Sequence, residues 1–153
     1  MLALIFQIGN ERFALDVRLI QEVVPRVPLQ ALCGAPTNFA GAFVYRGQVV
    51  PVIDLHRLAG AGDCPLHLSS RIILVPQPGS CEGRLLGLLA SRVADLQDLQ
   101  QDEQTLTRLH ENGKPDFGPV LADRHGMIRL LDLDRLLPAL VAGPMLSLER
   151  REP

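Results

Sequence analysis

Gly41-Ala42-Phe43-Val44-Tyr45-Arg46-Gly47-Gln48-Val49-Val50-Pro51-Val52-Ile53-Asp54-Leu55 is a pair of apolar segments around Arg46-Gly47. Short apolar runs separated by a Gly-containing pair predict a β-hairpin. Gly41 and Gly47 are read as turn glycines, since Gly reaches backbone angles other residues avoid. Val49 to Ile53 is apolar at every position, which predicts a strand buried on both faces. Pro51 inside it marks an edge, a bulge or a barrel corner. Asp54 is placed to cap a short helix through Leu58, with Gly60 and Gly62 ending it.

The same plan extends in both directions. Leu2–Ile8 and Arg12–Val17 flank Gly9-Asn10 and predict an N-terminal hairpin. Arg18 to Val24 has helix-like spacing, and Pro25 and Pro28 limit it to two turns. Arg71–Val75 and Arg84–Ala90 read as strands, and Ser91–Leu96 as a short turn or helix. Gln97–Phe117 is polar without a period and reads as a long loop. Gly118–Ala122 and Met127–Leu131 form a hairpin about His125-Gly126. Asp132 opens a terminal helix that Gly143-Pro144 stops, and residues 147–153 are a tail.

Asp-Leu-x-Arg-Leu occurs twice, at Asp54–Leu58 and Asp132–Leu136, each time after a hairpin. Chance likeness of strand–turn–helix units is one explanation, and tandem duplication of a small β unit is the other. Each half is too small for a large core of its own. Many short strands with Gly and Pro turns favour closed barrels, because closure removes sticky edges. The expectation is therefore an all-β domain over residues 1–140, with pseudo-repeated halves near 1–65 and 66–140 that exchange strands. A groove would run between the halves, and 141–153 would be a tail.

Composition narrows the function. The 153 residues carry 15 Lys and Arg against 17 Asp and Glu, a net charge of −2, which argues against a nucleic-acid binder. Five Phe, one Tyr and no Trp give little for bases to stack on. Cys33, Cys64 and Cys81 form no Cys-x-x-Cys pair, so a zinc knuckle or disulfide framework is not expected and a reducing cytoplasm is. The N-terminus lacks a basic region and a cleavage site, and no apolar run reaches the ~18 residues of a membrane span. His56, His67, His110 and His125 have no ligand spacing for a metal. His125 reads as a turn residue and His56 as the solvated face of a short helix. Asp132 and Asp134 fit helix capping better than acid–base chemistry. No nucleophile elbow, Walker loop or zinc-protease motif is present, so no cofactor and no catalysis are expected. Glu22 and Arg46 stand out as charges that could face a partner, or simply face water.

Residues 41–55 closely resemble the signature of the CheW-like domain, which reads Gly-Val-x-Asn-Leu-Arg-Gly-x-Val-x-Pro-Val-x-Asp-Leu. Phe6, Glu11-Arg-Phe-Ala-Leu15 and Gln21-Glu22-Val23 are similar to that family's opening hairpin and turn. Leu86-Gly-Leu-Leu-Ala-Ser-Arg-Val93 resembles its Val-Gly-x-x-Val-Asp-x-Val, and Ile128–Leu137 its closing strand and helix. The resemblance implies two five-stranded SH3-like antiparallel barrels packed together, with short helices and a C-terminal helix. It also implies a non-catalytic cytoplasmic adaptor at membrane-bound receptor arrays. Such an adaptor binds the regulatory domain of a CheA-like histidine kinase and the tip of a methyl-accepting chemoreceptor. Arg46 matches the motif arginine and Glu22 the Gln-Glu glutamate. Ile20, Val44, Tyr45, Leu88 and Leu89 would be partner-binding positions beside them. Val44-Tyr45 replaces the family's Asn-Leu, and Ser91 replaces an Asp. The Tyr45-Arg46-Gly47 variant is similar to adaptors of alternative pathways, such as those that sense surfaces and drive a diguanylate cyclase output. A small-molecule-binding barrel is the rival in a different class.

Overall fold

The computed structural model describes residues 1–77, 83–100 and 113–140. The tail at 141–153 and most of the expected Gln97–Phe117 loop lie outside them. Nine strands are present among the described residues: β1 (Leu2–Ile8), β2 (Glu11–Asp16), β3 (Glu22–Pro25), β4 (Phe39–Tyr45), β5 (Gln48–Asp54), β6 (Arg71–Pro76), β7 (Leu85–Asp98), β8 (Val120–Asp123) and β9 (Gly126–Leu130). Two helices, α1 (Leu55–Leu58) and α2 (Leu133–Leu140), follow β5 and β9. They make two five-stranded SH3-like barrels, as the family resemblance implies.

The first barrel holds β1, β2, β8, β9 and the end of β7; the second holds β3, β4, β5, β6 and the start of β7. Each contains one parallel pairing, β2 with β9 and β5 with β7. Residues 1–65 and 66–140 thus each send strands to both barrels. β7 is shared: Leu85–Ala90 pair with β6, and Ser91–Asp98 pair with β1. The turn or helix expected at Ser91–Leu96 is strand. Six residues are too few to nucleate a stable helix alone, and the edge of β1 offers a ladder instead. A bulge marks the passage, because Ile5 and Gln7 on β1 oppose Asp95 and Ser91 on β7. Arg92 sits in it at φ 50°.

The helix expected after Arg18 is likewise shorter than read. One 3-10 turn, Val17–Leu19, is capped by Asp16, which accepts from the Arg18 N–H at 3.0 Å. Ile20 is already extended, and β-branched Val23 and Val24 before Pro25 continue as strand β3. Glu22 therefore lies at the start of a strand.

Side chains alternate across β7 and separate the cores. Leu86, Leu88 and Ala90 join Phe6, Phe13, Leu15, Ile53 and Ile73 in the largest cluster, which fills the space between the barrels. Leu89 faces the interior of the second barrel with Val50, Val52, Ile72 and Leu74. Ala3, Ala14, Leu99, Leu121 and Ile128 fill the first barrel. Apolar core thus occupies the space between the barrels where the sequence predicts a groove. β5 is also less buried than predicted. Only Val52–Asp54 reach β7, so Val49 projects into solvent at 66% exposure while Val50 is fully buried.

Gly41 is not a turn residue. It lies within β4 at a register shift, with φ 138°, where the chain at Leu29 and Gln30 crosses it. A Cβ there would sit 2.7 Å from the Leu29 Cβ and 2.9 Å from the Gln30 carbonyl oxygen. Gly41→Ala is expected to destabilise by about 2–4 kcal/mol, from overlap plus backbone strain. Gly47→Ala meets nothing within 4 Å and should cost about 1–2 kcal/mol from conformation alone. Urea midpoints of the two variants check the order.

Candidate functional site

The tip of the β4–β5 hairpin is a two-residue turn. Arg46 has φ 47° and Gly47 φ 81°, the pair of positive values that defines a type I′ turn. Asn-Gly is the usual occupant, so an arginine here carries local strain. Its side chain turns back toward β3. Arg46 Nη2 donates to Glu22 Oε1 at 3.3 Å, and the guanidinium carbon lies 5.1 Å from the centre of the Tyr45 ring. The Tyr45 hydroxyl donates to the same Glu22 oxygen. Tyr45 meets Phe43 edge-on, with centroids 6.4 Å apart. Two side chains, Tyr45 and Arg46, therefore meet at the Glu22 carboxylate.

This cluster also crosses a gap. Among the described residues β3 pairs only with β6, and β4 pairs with β5 and bridges at Gln30–Ala42. No backbone ladder joins β3 to the hairpin tip there, so Glu22 and Tyr45 tie the two across the edge. The Tyr45 phenol is held above its usual titration range. The bond to Glu22 favours the neutral phenol, partial desolvation adds to this, and Arg46 opposes it. The arginine side chain remains 69% exposed, so its ion pair adds about 0–1 kcal/mol to stability.

The other expected partner-binding positions divide. Val44 points outward, opposite Val49, at 69% exposure. Ile20 is half-buried against the inter-barrel core. Leu88 and Leu89 are wholly buried, one in each core, and present nothing to a partner. The reason is β7's central place, covered on both faces.

The structure adds a buried polar chain that no sequence motif marks. His56, expected to be solvated, is 2% exposed. The Gly9 N–H donates to its Nδ1 at 3.1 Å, which requires a lone pair there, so the proton sits on Nε2. Nε2 lies 3.1 Å from the Ser91 Oγ, and Ser91 in turn donates to the Gln7 carbonyl at 3.1 Å. Asp54 caps α1 through the His56 and Arg57 N–H groups and accepts from the Cys64 N–H at 3.0 Å. In the repeat copy Asp132 caps α2 through the Asp134 and Arg135 N–H groups. Burial holds the Cys64 thiol above its ordinary range. Among the described residues no group of three or more His, Cys, Asp or Glu is placed to hold a metal ion. No helix there is long and apolar enough to cross a membrane.

A cavity of about 440 Å³ opens beside the start of α2, lined by Arg18, Leu19, Gln77, Leu130 and Asp132 among others. Arg18 is bidentate to Asp16, and Asp132 is occupied with capping. Among the described residues that line it, Arg18 and Asp132 are thus already engaged.

The profile described as the CheW-like domain matches residues 2–141. This chain belongs to the CheW-like domain family. The chemotaxis protein CheW of Rhizobium meliloti is 26% identical over 136 residues, covering 88% of this chain and 85% of that protein. A probable chemotaxis protein CheW of Rhizobium etli is 28% identical over 134 residues, covering 86% and 83%. The crystal structure of the scaffolding protein TtCheW from Thermoanaerobacter tengcongensis superposes with a TM-score of 0.72 at 24% identity, covering 86% of this chain and 84% of that one. That likeness supports the CheW-like fold. The match includes the hairpin whose tip carries Tyr45 and Arg46.

Proposed function

We propose that this CheW-like protein is a non-catalytic adaptor that couples methyl-accepting chemoreceptors to a CheA-like histidine kinase in a chemotaxis-type array. The carrying observation is the family match over nearly the whole chain. The relatives named for chemotaxis and the neighbour named as a scaffold agree with it. In this reading the adaptor binds the kinase regulatory domain and the receptor tip through its surface, with Arg46 and Glu22 at the contact. Coupling requires only that it bind its partners differently in two signalling states. Its working place is the cytoplasm, beside membrane-bound receptors.

Isothermal titration against the regulatory domain of the chemosensory kinase, and separately against a soluble four-helix fragment of the receptor tip, tests the reading. Saturable binding of both is expected. Arg46→Glu should weaken one of them tenfold or more, about 1.4 kcal/mol, with the fold retained. A folded protein that binds neither titrant would overturn the adaptor reading.

A further inference from the structure

We infer that Tyr45 is the positioning residue of the hairpin tip, fixing Glu22 so that Arg46 is presented as a preorganised donor fork for a partner carboxylate. The inference rests on the adaptor reading for its functional half; its structural half stands alone.

The geometry runs in one direction. The Tyr45 side chain is anchored first, half-buried against the second barrel's core and edge-on to Phe43. Its hydroxyl has one partner among the described residues, Glu22 Oε1. That bond selects one rotamer of a glutamate that is otherwise 40% exposed and able to turn into water. The fixed carboxylate and the ring face then offer Arg46 two contacts at once, the 3.3 Å hydrogen bond and the 5.1 Å stack. Neither contact is strong at such exposure. Together they hold the guanidinium in one orientation on a turn whose backbone is itself narrowly defined.

What is left over identifies the ligand chemistry. Glu22 Oε1 accepts from two donors, the Tyr45 hydroxyl and Arg46 Nη2. Among the described residues Arg46 spends one N–H of Nη2, and its Nε and Nη1 donors make no hydrogen bond, which leaves the second Nη2 N–H to complete a fork with one of them. The Arg46–Glu22 pair is neutral overall, yet a planar fork with outward, unspent donors suits a carboxylate held bidentately. Preorganisation matters because each long side chain immobilised on binding lowers affinity, and here part of that ordering precedes the partner. The resembling family motif carries Leu at this position, and Leu can neither donate to Glu22 nor stack under the arginine.

The chain has one Tyr and no Trp, so its tyrosinate absorbance reports Tyr45 alone. In wild-type protein Tyr45 is expected to titrate above the ordinary value of about 10, and in Glu22→Gln it should fall back toward it. Wild-type titration at the ordinary value, unchanged in Glu22→Gln, would overturn the structural half. Binding of the kinase regulatory domain and of the receptor tip is then compared among Tyr45→Phe, Tyr45→Leu, Arg46→Lys and Arg46→Gln. Tyr45→Phe keeps the ring and should weaken the Arg46-dependent partner about five- to tenfold, with the fold retained. Tyr45→Leu should weaken it further, and Arg46→Lys should fail to restore what Arg46→Gln loses. If Arg46→Gln weakens binding and Tyr45→Phe does not, the positioning role is wrong while the adaptor reading stands. If Arg46→Gln and Arg46→Glu leave both affinities unchanged while Tyr45 titrates high, the cluster is a structural tie only and the carboxylate assignment fails. If Arg46→Lys binds like wild type, charge rather than the planar fork is what the partner reads, and the bidentate assignment fails.

Discussion

Asp54→Ala is expected to lower the stability of the protein by about 2–4 kcal/mol. The carboxylate is 1% exposed and serves three backbone donors: the His56 and Arg57 N–H groups at the start of α1 and the Cys64 N–H of the following loop. Loss of a helix cap costs about 1–2 kcal/mol. A buried amide left without an acceptor costs about 1–3 kcal/mol more. Asp54→Asn should recover part of this, because an amide oxygen can still cap the helix but its NH₂ cannot accept from Cys64. Urea unfolding of the three proteins measures the differences. A loss under about 0.5 kcal/mol for Asp54→Ala would mean that water reaches the vacated site and that the cap is not a support of the fold.

His56 should make stability depend on pH in a range where surface carboxylates do not titrate. Desolvation holds its pKa below the ordinary value of about 6.5; Asp54 opposes this, and Arg26 adds to it. The unfolded chain therefore binds the proton more readily than the folded one. The stabilisation is fully present above about pH 6.5 and is lost as pH falls toward the folded value, by up to about 1.4 kcal/mol per unit. The physical cause is geometric as well. A proton on Nδ1 would face the Gly9 N–H, setting donor against donor. Unfolding free energy measured from about pH 7.5 to about pH 5 should fall for wild type, and the slope should flatten in His56→Phe. His56→Phe should also begin lower, because Gly9 and Ser91 each lose a partner. Equal slopes in the two proteins would remove His56 from the explanation.

The features legible in the sequence are those whose chemistry acts over a few residues. Arg46-Gly47 dictates its turn through backbone angles, and Asp54 and Asp132 dictate helix starts through the donors just after them. The N-terminal hairpin about Gly9-Asn10 is equally local. Leu88 and Leu89 escape such a reading because an apolar strand residue looks alike whether it faces a core or a partner. What decides is the element packed opposite, and β7 is covered on both sides. Ser91–Leu96 becomes strand because of a ladder partner, β1, at the other end of the sequence. The burial of His56 has the same kind of origin: it comes from Gly9 and Ser91, 47 and 35 positions away. At the candidate site Glu22, Tyr45 and Arg46 can each be named from the sequence. Their meeting at one oxygen depends on β3 being a strand, which helix-like spacing conceals.

The shared strand β7 sets a timetable for synthesis. Leu2 pairs with Asp98 and Gln7 with Ser91, so the first hairpin leaves the ribosome long before its mate exists. At roughly 5–20 residues per second that delay is on the order of ten seconds. Throughout it the outer edge of β1, with Phe6 and Phe13 beside it, has no ladder and no cover. A neighbouring nascent chain offers the same edge, so production at high density favours pairing between chains over folding within one. Yield of soluble protein should therefore depend on translation rate and on chaperone supply more steeply than the equilibrium stability of the finished molecule suggests.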